Sequence, residues 1–267
     1  MKKLGFIGAG NMASAILEGI LTKGLLTADQ VCVFDPDAAK LDNLKARLGI
    51  IPCGSNEELL EQCETILLAV KPNICGKVLE PIAELFDGKV LISIVTGWDM
   101  DKLHMSVHTN CRILRVMPNT PCMVGEGMCA FDSGYTLNEN ELAFAKSIFE
   151  STGRVVVVPA NLMNAVTGVS GSGPAYVYMF IEALADGGVR AGLSRDMAYE
   201  LAAQTVIGAG KMVLETGIHP GALKDAVCSP GGTTIEAVST LETFGMRAAV
   251  INAVDACVKK AESMHAK

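Results

Sequence analysis

Two glycine-rich segments of this chain have the residue types and spacing that chemistry would need. Gly8-Ala9-Gly10-Asn11-Met12-Ala13 follows a short apolar run, Leu4 to Ile7, and precedes Ala15, Ile16, Ile20 and Leu21 on one helical face. Gly-x-Gly-x-x-Ala between a buried strand and a helix is a dinucleotide-binding fingerprint. In it Gly8 makes the tight turn, Gly10 lets backbone approach a pyrophosphate, and Ala13 lets the helix pack closely on the strand. The helix N-terminus at Asn11 and Met12 then offers free N–H groups and a positive dipole end to the phosphates. Read locally, the same residues are an ordinary strand–turn–helix built from small side chains.

The second segment is Ser229-Pro230-Gly231-Gly232-Thr233-Thr234-Ile235-Glu236. It puts several backbone N–H groups and three hydroxyls at the start of a helix, an anion site suited to a carboxylate. Taken alone it is equally a loop with a threonine N-cap. Between the two segments, Gln30 to Phe34 reads as the next strand and ends in Asp35, about 25 positions after the glycine turn. An acid there bonds an adenosine ribose 2′-hydroxyl and repels a 2′-phosphate. Asp35-Pro36-Asp37 is also a turn in which Asp37 caps the following helix.

These residues need a framework, and the composition supplies one. The 267 residues allow one or two domains with a sizeable core. A net charge of -7 with a pI near 5.2 and no block of Lys or Arg make nucleic acid or an anionic membrane surface poor partners. Gly5, Gly8 and Gly10 interrupt the N-terminal apolar run, so no secretory leader is expected there, and no apolar stretch reaches membrane-spanning length. The mean hydropathy of +0.35 points to strands buried on both faces. Nine cysteines lie scattered without a Cys-x-x-Cys pair or a His at ligand spacing. They read as small buried hydrophobes of a reducing cytoplasm, neither a disulfide frame nor a zinc or other metal site.

Apolar strands alternate with helical patterns as far as about residue 160. Thr65–Val70, Val90–Ile94, Arg112–Met117 and Val155–Val158 continue the strand series. Asp37–Leu48, Glu57–Gln62, Ile74–Leu85 and Asn138–Ser151 read as helices. Such alternation implies an α/β Rossmann-type domain with a mostly parallel sheet covered on both sides. Ligands then bind beyond the carboxyl ends of the strands, at Ala69-Val70-Lys71-Pro72, Val95-Thr96-Gly97 and Met117-Pro118-Asn119-Thr120-Pro121. After Pro159 strand signals vanish. Ser172 and Pro174 open one helix, Ser194 caps another, and a last one runs from about Phe244 to Glu262. The boundaries are therefore 1–160 for a dinucleotide-binding domain and 161–267 for an all-helical domain. The helices of the second are apolar on more than one face, which predicts symmetric dimerisation.

The sequence resembles pyrroline-5-carboxylate reductase over essentially its whole length. Gly8–Ala13, Ala69–Pro72, Met117–Pro121, Gly168–Tyr176 and Lys224–Glu236 look like that family's blocks, in order. The resemblance implies NADPH- or NADH-dependent reduction of a cyclic imine to proline by a cytoplasmic homodimer, or by a larger homo-oligomer built from dimers. It implies that Thr234 is catalytic, directing its hydroxyl at the ring nitrogen. Ser229, Gly231, Gly232, Thr233 and Val227 would bind the substrate, with the backbone of Gly232 and Thr233 and the side chain of Ser229 on its carboxylate. Gly8, Gly10, Asn11, Met12, Asp35, Asn56, Ala69, Val70, Lys71, Pro72, Thr96 and Gly97 would hold the cofactor. The imine pocket is expected to be shared across the dimer. The family leans to NADPH, whereas Asp35, with Lys40 as nearest cation, raises NADH use.

The chemistry agrees with that resemblance. A protonated imine already carries its proton, so its reduction needs no strong general base. No histidine lies between His108 and His219 and no lysine between Lys146 and Lys211. A hydroxyacid dehydrogenase of similar layout would need such a base near its central helix. A catalytically silent dinucleotide-binding regulator would not need the Ser229–Thr234 loop.

Overall fold

The strand order β3-β2-β1-β4-β5-β6-β7-β8 defines one eight-stranded sheet, seen in a computed structural model that describes residues 2–265. In chain order its elements are β1 (Lys2–Ile7), α1 (Asn11–Thr22), β2 (Val31–Phe34), α2 (Ala38–Leu48), β3 (Ile51–Pro52), α3 (Asn56–Gln62) and β4 (Cys63–Leu68). They continue with α4 (Pro72–Leu79), β5 (Val90–Ser93), α5 (Met100–Met105), β6 (Arg112–Met117), β7 (Gly127–Asp132), α6 (Glu139–Glu150) and β8 (Gly153–Val158). The first six strands follow the doubly wound order, whose chain reversal beside β1 opens a crevice at the strand ends.

The apolar runs split between two faces by the period of two that a strand imposes. Leu67, Ile92 and Leu114 join Leu4, Phe6, Ile16 and Phe149 in one core. Their neighbours Ile66, Leu68, Leu91 and Ile113 join Ile7, Leu79 and Phe86 in the other. Continuous hydrophobic strands are therefore the mark of a sheet covered on both sides.

Several elements differ from the sequence reading. The two-residue strand β3, the strand β7 and the helix α5 lie outside the strand and helix patterns of the sequence. Strand β7 pairs antiparallel with β6, Val116 opposite Phe131. The connection between them holds only a 3-10 turn, Thr120–Val124, and no crossover helix. The helix expected over Ile74–Leu85 begins at Pro72 and gives way to a 3-10 turn at Glu80–Phe86. Pro81 has no N–H with which to continue an α-helix. Cys32 and Cys53 form a disulfide, which corrects the expectation of nine thiols. Parallel pairing sets Cys32 opposite Ile51 and brings Cys53, just beyond β3, alongside. The other seven cysteines form no disulfide. Burial pushes the thiols of Cys75 and Cys111 up to about 12, so both behave as hydrophobes.

Beyond β8 come α7 (Met163–Val166), a π-helical turn over Thr167–Gly171, α8 (Gly173–Arg190), α9 (Arg195–Thr216), α10 (Pro220–Val227), α11 (Thr233–Thr243) and α12 (Met246–His265). The chain divides into two compact units, one running to Gly171 and taking in the segment from Cys257, the other Ser172–Ala256. Ser172 does not cap α8 as expected, because its backbone is already helical where the π-turn delivers it. Ser194 does cap α9, accepting from the Met197 N–H. Helix α10 starts on its own signals, with His219 as cap and Pro220 at the first position.

The only buried cluster of the second unit's own described residues is Ala185, Ala198 and Ala202. Phe180, Leu201, Ile207, Leu214, Phe244 and Ile251 are all exposed in the single chain. No described helix is long and apolar enough to cross a membrane. Surface of this kind calls for a second copy. Light scattering at micromolar concentration is expected to give a dimer or a multiple of it, and a monodisperse monomer would contradict this. Ala203→Glu on α9 should split the assembly or unfold it.

Candidate active site

Apart from Asn56, which follows β3, the cofactor-side residues named from the sequence lie at the carboxyl ends of β1, β2, β4 and β5. Gly8 follows β1 with its N–H donating to the Phe34 carbonyl at 2.8 Å, and the Ala69 N–H donates to the Ile7 carbonyl at 2.9 Å. These bonds carry three strands into one crevice. Gly8 has φ +101°, and a methyl placed on it would sit 2.5 Å from the Ala69 carbonyl oxygen. Geometry alone therefore demands glycine there.

Gly10 differs. Its φ is -75° and its ψ 178°, open to any residue, and it is the N-cap of α1 without a side-chain cap. A methyl on it would meet nothing within 4 Å. The fold has no need of glycine at this position, and the space before it is what an approaching phosphate requires. A cavity of about 400 Å³ opens beside it, lined by Asn11, Ser14, Lys40 and Asn43 among others. Asn56 is the first residue of α3, and its Oδ1 is buried with no hydrogen-bond partner among the described residues. An orphaned acceptor and an open cradle at a helix N-terminus both fit a dinucleotide.

Asp35 fills the turn role and more. Its Oδ2 accepts from the Ala9 N–H at 2.8 Å, its Oδ1 from the Asp37 N–H at 2.9 Å, and the Lys40 ammonium lies 3.4 Å from both oxygens. Asp37 caps α2 through the Ala39 N–H. Burial pushes the Asp35 carboxyl up, but the Ala9 and Asp37 N–H groups and Lys40 outweigh it and hold the group below its usual 3.8. A lowered carboxyl stabilises the fold above the ordinary carboxylate pKa, and that contribution is lost as pH falls through the lowered value. Asp35 thus pins the glycine turn from below.

Lys71 and Pro72 start α4, and Thr96 and Gly97 follow β5. Trp98, which the sequence reading passed over, ties these two segments together. Its Nε1–H donates to the Pro72 carbonyl at 3.3 Å, and the Lys102 ammonium sits 4.9 Å from its ring centroid. The only pointer in the sequence is its place directly after Thr96-Gly97.

The substrate-side residues lie in the other unit and form one turn there. Ser229-Pro230-Gly231-Gly232 closes with the Gly232 N–H donating to the Ser229 carbonyl at 3.0 Å, and Gly231 has φ +66°. Proline second and positive-φ glycine third make this a type II turn. Gly232, not a threonine, is the N-cap of α11, without a side-chain cap. Thr233 and Thr234 are the first two helical residues, both exposed, and neither hydroxyl bonds to any described residue. The N–H groups of this helix start and two hydroxyls are left for an anionic, hydrogen-bonding ligand. Val227 ends α10 just before the turn and is 65% exposed. Among the described residues no group of three or more His, Cys, Asp or Glu could hold a metal ion.

The two glycines separate fold from binding. Gly8→Ala is expected to cost on the order of 3 kcal/mol, seen as a lowered melting temperature. Gly10→Val should stay within about 1 kcal/mol of wild type while abolishing dinucleotide binding. Unchanged NADPH and NADH affinity of Gly10→Val in a fluorescence titration would remove Gly10 from the site.

A family model described as pyrroline-5-carboxylate reductase dimerisation matches residues 160–264. Another, described as NADP oxidoreductase, coenzyme F420-dependent, matches residues 3–97. The pyrroline-5-carboxylate reductase of Escherichia coli (strain K12) is 45% identical over 264 residues, 98% of each chain. Among solved structures, the Plasmodium falciparum pyrroline carboxylate reductase with NADP bound aligns with a TM-score of 0.88 at 38% identity, covering 99% of this chain and 98% of that one. The Coxiella burnetii pyrroline-5-carboxylate reductase gives 0.92 at 32% identity over 98% of both chains. Matched from end to end at such identity, the chain belongs to the pyrroline-5-carboxylate reductase family.

Proposed function

We infer that this chain reduces the cyclic imine 1-pyrroline-5-carboxylate to L-proline with NADPH or NADH. The observation that carries the reading is the α11 start: an uncapped helix N-terminus with two unspent threonine hydroxyls, in a chain that also holds a dinucleotide turn. The reductase relatives and the neighbour with NADP bound support it. Residues 1–160 act as the dinucleotide-binding domain and 161–267 as the substrate and dimerisation domain. A pocket shared between subunits belongs to the same proposal, supported by the exposed apolar faces of α8 to α12. So does a cytoplasmic location, supported by five buried cysteines that form no disulfide. The Cys32–Cys53 bond is the feature a reducing compartment would open.

A nicotinamide held along the strand ends would supply a hydride for the imine carbon, and the C=N electron pair would be taken up by a nitrogen that is already protonated. The protein has little chemistry to add beyond position. The backbone N–H groups of Gly232 and Thr233 and the hydroxyl of Ser229 hold the carboxylate, with Gly231 and Val227 beside it. The Thr234 hydroxyl hydrogen-bonds the ring nitrogen as its charge is lost. Gly8, Gly10, Asn11, Met12, Asp35 and Asn56 hold the pyrophosphate and adenosine side of the dinucleotide. Ala69, Val70, Lys71, Pro72, Thr96 and Gly97 line its path along the strand ends.

Thr234→Ala is expected to lower kcat by about 10–100-fold, the loss of a hydrogen bond that strengthens in the transition state. NAD(P)H affinity should stay unchanged, and Thr233→Ala, whose backbone suffices for the carboxylate, should cost less. Full kcat in Thr234→Ala would return Thr234 to an ordinary helix residue.

A further inference from the structure

The acid at the end of β2 does not face the ribose edge of the crevice alone. The Asp35 carboxylate offers about four acceptor positions. They are occupied by the Ala9 N–H, the Asp37 N–H and a Lys40 ammonium equidistant from both oxygens at 3.4 Å. The same ammonium lies 3.8 Å from Asp37 Oδ2. Lys40 is therefore one cation set between two carboxylates. Its side chain is 46% exposed, and it borders the cavity that opens in front of Gly10 and Asn11.

The other cation on that face of α2 is not available in the same way. Arg47 stands two turns along the helix and is engaged with Glu18 at 2.7 Å and with Asn43 at 3.4 Å. A phosphomonoester arriving beside Asp35 would meet two negative side chains and one ammonium. Without the ammonium, the one other cation lining that cavity would be Arg47, which is already paired with Glu18.

We infer that Lys40 is the specificity-determining residue that admits a 2′-phosphorylated dinucleotide to this crevice. It covers the charge of Asp35 while turning its remaining N–H donors to the phosphate. Asp35 is left as the pin of the glycine turn, and its own repulsion of a 2′-phosphate is masked while Lys40 is present. A lysine suits this task because its ammonium has three rotatable donors and can touch both carboxylate and phosphate. The inference rests on the dinucleotide reading proposed above.

The test reads binding in the intact protein, without imine. NADPH and NADH are titrated by fluorescence, and adenosine 2′-monophosphate and 5′-monophosphate by calorimetry, against wild type, Lys40→Met and Lys40→Arg. Lys40→Met should weaken NADPH and the 2′-monophosphate about tenfold or more, the loss of one charge-assisted hydrogen bond. NADH and the 5′-monophosphate should stay within about threefold, and Lys40→Arg should recover most of the NADPH affinity. Equal losses for both ligands of each pair, or no loss in Lys40→Met, would overturn the assignment. Wild-type turnover with pyrroline-5-carboxylate, measured apart, checks the reaction itself, so failure of one reading is told from failure of the other.

Discussion

The close approach of the β1–α1 turn to the end of β4 is the constraint on which the cofactor crevice depends. With a carbonyl oxygen 2.5 Å from where a side chain would begin, only glycine fits at position 8. That fit lets the Gly8 N–H reach the Phe34 carbonyl while the Ile7 carbonyl takes the Ala69 N–H. The chain then leaves β1 straight into α1, with nothing standing in front of Gly10. Asp35 secures the arrangement through the Ala9 N–H, and Trp98 secures the neighbouring strand ends through the Pro72 carbonyl. Each of these bonds fixes backbone, and backbone is what a pyrophosphate recognises.

The helical unit follows a different economy. Its helices bury only a few alanines among themselves and leave large apolar side chains exposed, so its stability is bound up with a second copy. Its chemistry is correspondingly simple. A type II turn delivers the chain into α11 with the helix start uncapped, and the two threonines keep their hydroxyls. A substrate that brings its own proton and positive charge needs only an anion cradle and a hydrogen bond, the role proposed for this turn.

Much of this could be read from residue order. Gly8 to Ala13 after a buried run, Asp37 as a helix cap, and the switch from strands to helices after Pro159 all express local rules that the fold obeys. What was not legible depends on partners distant in sequence. Strand β7 is Gly-Met-Cys-Ala-Phe-Asp, and only its pairing with β6 and β8 makes it a strand. The Cys32–Cys53 bond depends on the register of a two-residue strand. Ser172 has the composition of a cap but receives a chain that is already helical. Asp35 was legible as an acid directly after β2. Its engagement with Ala9, Asp37 and Lys40 required the fold.

Hydride delivery to an imine without a general base is the chemistry that both glycine-rich segments would serve. The most direct measurement is the rate of NADPH and NADH oxidation with pyrroline-5-carboxylate, set beside NADP+ and NAD+ reduction with a panel of β-hydroxyacids. Saturable consumption with the imine, L-proline as product and no turnover of hydroxyacids are expected. Hydroxyacid oxidation at a comparable kcat/KM, or no consumption with the imine, would contradict this chemistry.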